Sequence, residues 1–219
     1  MPKRRLSISI SGDIMGKENF KSQYGQDRIL LSLLGDRPPG FFVEMGAGDG
    51  IDISNSYYFE KELGWNGLLI EPNPDLYGRL IKNRNCLTSN RLCGKEEGIE
   101  VTFLVAGVVS GIVAPPLGYW VQKNIDNPKI KLRTYLLGNI LKEFNCPTKM
   151  DFLSLDVEGQ EVEILKTFPY ENYSFDFICI EHNSCWDGPE NREVIKGILL
   201  FNGYELVQET SIDDFYRGR

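Results

Sequence analysis

Between residues 41 and 50 the chain reads Phe41-Phe42-Val43-Glu44-Met45-Gly46-Ala47-Gly48-Asp49-Gly50. Its first three residues are aromatic or β-branched, which is the composition of a short buried strand. The glycines that follow permit positive φ angles and a close approach of backbone N–H groups to a ligand. The stretch therefore predicts a strand that runs into a nucleotide-binding turn.

The spacing of the glycines separates this turn from a dinucleotide site. A dinucleotide fingerprint reads G-x-G-x-x-G. Here a single residue separates Gly46 from Gly48 and Gly48 from Gly50, and Glu44 precedes all three glycines. A carboxylate repels a pyrophosphate and attracts an ammonium group. S-adenosylmethionine carries an ammonium group and no phosphate, so the turn favours this cofactor.

Three further motifs lie in order along the chain. They are Ser22-Gln23-Tyr24-Gly25-Gln26-Asp27, Leu69-Ile70-Glu71-Pro72-Asn73 and Asp151-Phe152-Leu153-Ser154-Leu155-Asp156-Val157-Glu158-Gly159-Gln160-Glu161. With E-x-G-x-G-x-G they resemble the FkbM family of S-adenosylmethionine-dependent O-methyltransferases, in the class I superfamily. The resemblance runs from about Ser22 to the C-terminus. It implies a Rossmann-like α/β fold whose mostly parallel sheet has about seven strands, and a hydroxyl acceptor on a sugar, glycan or glycosylated metabolite.

Glu71 is the predicted ribose ligand. It lies 21 residues after Gly50, close to the roughly 20 residues expected for the acid that binds ribose hydroxyls. A carboxylate accepts hydrogen bonds from both hydroxyls. A solvated acid at a strand end is the alternative, which Pro72 and Pro74 make less favourable because they fix the backbone that follows Glu71.

The remaining predicted cofactor contacts come from the glycine turn and from the resemblance. Ser54 and Asn55 also suit a helix cap, and that alternative stays open. The resemblance implies that the segment around Tyr24 closes over the cofactor. The full predicted set is Glu44, Gly46, Ala47, Gly48, Asp49, Ser54, Asn55, Glu71, Pro72, Asn73, Gln23, Tyr24, Gln26 and Asp156.

Four groups that can move a proton or bind a metal follow two predicted strands. Asp156 and Glu158 follow one strand, and Glu181 and His182 end another. Strands of a parallel sheet end at one edge, which predicts that these groups converge near the transferred methyl. Either His182 is the general base, or Mg²⁺ or Mn²⁺ binds Asp156, Glu181 and His182. A helix cap is the plainer alternative for Asp156 and Glu158.

The composition of the chain limits the classes of function that it can have. The chain has 219 residues, 42% hydrophobic residues and a net charge of −7, which favours one compact domain and argues against nucleic-acid binding. Apolar stretches long enough for a signal peptide or a bilayer span are absent from the sequence, so we expect a soluble, cytoplasmic protein without a membrane partner. Five cysteines without a CxxC pair indicate free thiols.

Strand and helix patterns alternate through the chain, which predicts helices on both faces of the sheet. Residues 1–19 are expected to form a loose arm and residues 20–219 a single domain, whose oligomeric state is not readable. Residues 106–122 read as a surface loop. Its Tyr119 and Trp120 suit stacking on a sugar ring or anchoring of the loop. A non-catalytic binding module and a nicotinamide-dependent oxidoreductase are the rival functions.

Overall fold

A computed structural model describes residues 19–115 and 117–219. The predicted loose arm of residues 1–19 thus lies, except for Asn19, outside the described residues. Within them the alternation of strands and helices follows the prediction from the sequence, and the fold is α/β.

The main sheet has seven strands. The apolar runs of its four central parallel strands are buried on both faces, as expected for strands covered by helices on each side. The strands are β1 (Phe41–Met45), β2 (Asn66–Ile70), β3 (Leu87–Ser89), β8 (Lys149–Leu155), β9 (Ser174–Glu181), β10 (Tyr204–Glu209) and β11 (Asp213–Gly218).

The strand order is β10-β11-β9-β8-β1-β2-β3. β1 pairs in parallel with β2 on one side and β8 on the other, while β11 runs antiparallel between β9 and β10. The carboxyl ends of β1, β2, β8 and β9 therefore meet at one edge, where open α/β sheets bind ligands. The acidic-aromatic stretch Asp213 to Tyr216 forms the first part of β11.

Eight helices are found in the described part of the chain. Aromatic residues on β1 and β8 pack against α2, with Phe59 in contact with Phe152 at a ring-centroid distance of 4.8 Å. The helices are α1 (Gln26–Leu34), α2 (Tyr57–Lys61), α3 (Pro74–Asn83), α4 (Tyr119–Lys123), α5 (Leu137–Glu143), α6 (Glu161–Thr167), α7 (Ser184–Asp187) and α8 (Glu190–Phe201). None of those between residues 19 and 219 is long and apolar enough to cross a membrane.

A second, four-stranded sheet lies between β3 and β8 along the chain, in the order β4-β7-β5-β6. Its strands are β4 (Leu92–Cys93), β5 (Glu100–Leu104), β6 (Gly111–Ile112) and β7 (Lys129–Tyr135). The sequence predicted a surface loop at residues 106–122. The structure replaces this loop partly with β6 and α4.

Candidate active site

A pocket opens at the carboxyl edge of the main sheet and is roofed by the second sheet. Its empty volume, including the part that is open to solvent, is about 500 Å³. The sheet edge contributes Gly46, Glu71 and Asp156, while the second sheet contributes apolar side chains: Leu92, Cys93, Phe103 and Ile112. One end of the pocket is thus apolar and the other is acidic.

The glycine turn approaches β8 so closely that a side chain has no room. A Cβ on Gly46, whose φ is +75°, would lie 1.9 Å from the Asp156 carbonyl oxygen. The amides of Gly46 and Ala47 donate to the Ile70 carbonyl oxygen, over 3.0 and 3.2 Å. The turn is therefore fixed against the ends of both neighbouring strands.

Glu71 lines the pocket and is buried. Its carboxylate accepts from the Gly48 amide over 2.9 Å and from the Asn73 amide over 2.7 Å. Burial raises the pKa of this group to about 7, against these hydrogen bonds, which lower it. A carboxylate has about four lone-pair positions, so it retains acceptor capacity for two hydroxyls.

Glu44 has a different set of partners from the one that the sequence predicted. Its buried carboxylate accepts four hydrogen bonds, from the Ser54 and Ser56 hydroxyls and from the Asn55 and Ser56 amides. These donors occupy the positions that a ligand ammonium group would need. In the structure Glu44 holds the loop after the glycine turn, and direct contact with the cofactor stays a prediction.

Several other predicted cofactor residues stabilise the loops around the pocket. Asp49 accepts from the Ile51 and Asp52 amides, and Asn73 caps α3 while its amide donates to Ser110 over 2.9 Å. Pro72 and Asp156 line the pocket. These contacts give the residues a structural role. Their contact with a cofactor stays a prediction.

The segment before α1 is attached to the rim of the glycine turn. Ser22 forms a parallel bridge with Ile53. The Gln26 side chain accepts from the Tyr24 amide and donates to Asp213 over 2.9 Å. Gln23 donates to the hydroxyl of Tyr24, whose side chain is 52% exposed. Closure of this segment over a cofactor stays a prediction.

Asp156 and Glu181 form a hydrogen-bonded carboxyl pair beside the pocket. Burial is the first cause that raises the pKa of each, and their shared hydrogen bond lowers that of Asp156 and raises that of Glu181. Two such groups share a proton. Glu181 therefore holds the proton and Asp156 accepts it, which leaves Asp156 as the ionised member.

Neighbouring residues position this pair. The Asn183 side-chain amide donates to Glu181 over 2.5 Å. The Glu161 carboxylate accepts from the Val157 amide over 2.9 Å and from the Gly159 amide, and so holds the turn after Asp156. Burial raises the pKa of Glu161 to about 7.

The metal prediction needs a correction in its ligands. Oxygens of Asp156, Glu158 and Glu181 all lie within 4.8 Å of one another, and His182 does not belong to this group. The sequence grouped Asp156, Glu181 and His182, because strand ends alone do not show which way a side chain turns. The three oxygens would suit Mg²⁺ or Mn²⁺, and a bound metal stays a prediction.

His182 is buried against β11 instead. Its Nδ1 accepts from the Ser184 amide over 3.1 Å, and its Nε2 lies 3.7 Å from an Asp214 oxygen. Burial lowers its pKa, and Asp214 opposes that shift. Both ring nitrogens therefore face protein groups outside the carboxyl pair, which makes His182 a poor candidate for the general base.

One orphaned atom tests whether the predicted cofactor fits. The Asn55 side chain donates to Ser154 over 2.8 Å, but its buried Oδ1 has no partner within the described residues. Ser154 lies two residues before Asp156 and pairs with Glu44 across the strands. An unsatisfied acceptor beside the glycine turn suits an ammonium donor, so the residues present fit the methionine end of S-adenosylmethionine.

Sequence reasoning missed the pocket walls of the second sheet and one aromatic group. Trp186 on α7 lies 5.4 Å from Trp120 and 6.3 Å from Tyr119, between ring centroids. A four-residue helix leaves no periodic signal. Tryptophan shortly after the strand-end residues Glu181 and His182 is the one signal that was available.

Comparison with known proteins agrees with this geometry. Residues 44–216 match the methyltransferase FkbM domain. A solved structure of methyltransferase FkbM from Methylobacillus flagellatus is 14% identical, with a TM-score of 0.53 over 85% of this chain and 45% of that chain. This likeness supports the fold. No curated protein sequence matches significantly.

Two further solved structures are similar at lower scores. A precorrin-6y C5,15-methyltransferase from Geobacter metallireducens is 12% identical, with a TM-score of 0.48 over 88% of each chain. Aeropyrum pernix fibrillarin, in complex with natively bound S-adenosyl-L-methionine, is 11% identical, with a TM-score of 0.49 over 88% of this chain and 76% of that chain.

Proposed function

The chain belongs to the FkbM methyltransferase family, and on this basis we propose that it transfers a methyl group from S-adenosylmethionine to a hydroxyl oxygen of a sugar, glycan or glycosylated metabolite. We propose oxygen as the atom that accepts the methyl group because the Asp156–Glu181 carboxyl pair lies beside the pocket. A hydroxyl is a weak nucleophile until a base takes its proton. The pair provides such a base.

Each part of the donor molecule has residues in or beside the pocket that suit its chemistry. S-adenosylmethionine supplies a methyl group that its sulfonium activates for displacement. Glu71 would accept hydrogen bonds from the ribose hydroxyls, and the apolar side chains of Leu92, Phe103 and Ile112 would enclose the adenine. Asn55, in the loop after the glycine turn, would accept from the ammonium group through its unsatisfied Oδ1.

Asp156 then receives the proton of the acceptor hydroxyl. Glu181 donates a hydrogen bond to Asp156, and Asn183 holds Glu181 in place. This arrangement orients the base before the reaction, and orientation of reacting groups alone can contribute roughly 7–11 kcal/mol. Burial raises the pKa of Asp156, which makes it a stronger base than an exposed carboxylate.

A divalent cation is the second way to activate the hydroxyl. Asp156, Glu158 and Glu181 would hold it through carboxylate oxygens, and a cation there would lower the pKa of a coordinated hydroxyl. It would also displace the shared proton. We propose the proton-sharing pair as the working arrangement, and the addition of EDTA in the transfer assay tests it against a bound cation.

The experiment is a transfer assay with tritium-labelled methyl donor and a panel of neutral glycosides, with the product position assigned by NMR. We expect an O-methyl product whose yield is unchanged when EDTA is added, and transfer by Asp156→Asn that is slower by at least about 100-fold. The variant Asp126→Asn, at an exposed acid, is the matched control. Methylation on nitrogen or sulfur contradicts the proposal, and a strict requirement for Mg²⁺ or Mn²⁺ contradicts the metal-free base.

The same assay separates the rival functions. A non-catalytic module would bind the donor and yield no product with any acceptor. A nicotinamide-dependent oxidoreductase would instead bind a dinucleotide. The G-x-G-x-G spacing and the buried acid Glu44 at the turn disfavour that ligand.

A further inference from the structure

We infer that Trp186 is the platform on which the acceptor ring stacks, and that the acceptor bears no negative charge at the methylated ring. This inference rests on the proposed function, because it concerns the acceptor side of the same site. It names a residue and a charge rule that the family membership does not supply.

An aromatic cluster of Tyr119, Trp120 and Trp186 joins two loops beside the carboxyl pair. Tyr119 and Trp120 begin α4, and their ring centroids lie 5.0 Å apart. Trp186 lies nearly parallel to Tyr119, at an interplanar angle of 18°. Three rings from two segments, α4 and α7, thus form one wall.

This aromatic cluster is connected to the acids at both ends. Gly118, the residue before Tyr119, lies so close to Glu158 that a Cβ there would be 3.0 Å from the Glu158 carbonyl oxygen. At the other end, the Trp186 amide donates to the Asn183 carbonyl oxygen over 2.8 Å, and Asn183 donates to Glu181. The cluster therefore borders the site where the acceptor oxygen is activated.

Trp186 is the most exposed ring of the aromatic cluster, with one of its faces against Tyr119. The Lys123 ammonium lies 5.0 Å from the Tyr119 ring centroid and 5.7 Å from that of Trp120, and so covers one side of each of these two rings. Trp186 is 38% exposed. Tyr119 and Trp120 are accordingly positioning residues, which hold the Trp186 ring.

The polar groups of the site indicate which substituents the acceptor ring has. The buried Oδ1 of Asn183 has no partner within the described residues, so it can accept a hydrogen bond from a ligand hydroxyl or ammonium group. An aromatic face beside acceptor oxygens matches a saturated hydroxylated ring, which has an apolar C–H face and O–H groups at its edge.

The charges of the site decide which rings are accepted. The carboxyl groups of Asp156, Glu158 and Glu181 converge within 4.8 Å, and a carboxylate or phosphate on the acceptor would add to their repulsion. A neutral sugar or an amino sugar avoids this repulsion. A uronic acid or a sugar phosphate does not.

The test measures acceptor binding without turnover. Methyl glucoside, methyl glucosaminide and methyl glucuronide are titrated into the full chain saturated with S-adenosylhomocysteine, and binding is followed by saturation-transfer NMR. We expect the glucoside or the glucosaminide to bind at least about 10-fold more tightly than the glucuronide. The ring C–H protons of the bound sugar should receive the strongest saturation.

Three variants test whether the acceptor ring stacks on Trp186. Trp186→Ala should weaken sugar binding about 10-fold, Trp186→Phe should restore most of it, and Phe201→Ala, at an aromatic residue that is 89% exposed on α8, should leave it unchanged. Thermal unfolding and S-adenosylhomocysteine affinity report whether each variant is folded.

The outcomes separate this inference from the proposed function. Equal sugar affinity of Trp186→Ala and the wild type, preferred binding of the glucuronide, or binding of none of the three glycosides to the loaded protein overturns the inference alone. Failure of S-adenosylhomocysteine to bind the wild type overturns the proposed function, and the inference with it.

Discussion

The carboxylate of Glu71, at the end of β2, accepts a hydrogen bond from the Gly48 amide over 2.9 Å and so fixes the turn that follows β1. The acid expected to bind the donor ribose is therefore also part of the scaffold of the glycine turn. One titratable group thus connects donor affinity with the shape of the pocket, and changes at Glu71 should affect both.

Donor affinity should depend on pH through Glu71. Its pKa is raised to about 7 by burial, so at pH 6 most of the protein carries the neutral acid, which is the weaker acceptor. We expect the Kd for S-adenosylmethionine to rise about 10-fold between pH 8 and pH 6, measured by calorimetry. Glu71→Gln should bind weakly and with little pH dependence. An equal pH dependence in this variant would contradict the assignment.

The rate of transfer should fall when the base is removed. Asp156→Asn should lower kcat by about 10²- to 10⁴-fold, measured with the donor at saturating concentration. Because the pKa of Asp156 is raised, the wild-type kcat should decrease as the pH falls below that pKa.

Glu181→Gln provides the contrast to the Asp156 variant. Glutamine still donates a hydrogen bond to Asp156, so this variant should keep more activity than Asp156→Asn and shift the pH–rate profile. If Glu181→Gln were the less active of the two, Glu181 and not Asp156 would be the base.

Glu44 should matter mainly for stability. Its carboxylate accepts four hydrogen bonds from Ser54, Asn55 and Ser56, and Glu44→Ala leaves these buried donors without an acceptor. We expect a loss of about 3–5 kcal/mol in the free energy of unfolding, measured by urea denaturation. Asp52→Asn, at an exposed acid of the same loop, should change it by less than about 0.5 kcal/mol.

Asp213 should destabilise the protein at high pH. Burial raises its pKa to about 7, above the value of 3.8 that applies when it is unfolded, so the folded state binds more protons between these values. Stability then falls as the pH rises through this window, by up to about 1.4 kcal/mol per pH unit. Asp213→Asn, which still accepts from Gln26, should unfold at a higher temperature than the wild type at pH 8. A lower unfolding temperature would contradict this account.

The main sheet could be predicted because its signals are local. The apolar run of β1, its glycine turn and the Glu71 spacing lie within about 30 residues, and they place Gly46 and Glu71 at one pocket as the sequence suggested. The parallel strands of the main sheet follow from repeated alternation of such runs with helices, whereas the number of about seven strands was implied by the family resemblance and β11 follows β10 without a helix between them.

The parts that were missed depend on contacts between distant residues. β4 and β6 have two residues each, too few for any periodic pattern, and they form only by pairing with β7 and β5. The orientation of His182 depends on β11, whose neighbouring residue Ile212 accepts from the His182 amide over 2.9 Å. The partners of Glu44 likewise lie 10 to 12 residues further on.

Calorimetric titration of S-adenosylmethionine at pH 8, on the wild type, Glu71→Ala and Asp75→Asn, tests most directly that the strand ends form the donor site. Asp75 is an exposed acid four residues from Glu71 and serves as the control. We predict binding by the wild type and by Asp75→Asn, and a loss of at least about 10-fold in affinity for Glu71→Ala. Wild-type affinity in Glu71→Ala, or no binding to the wild type, would contradict the account.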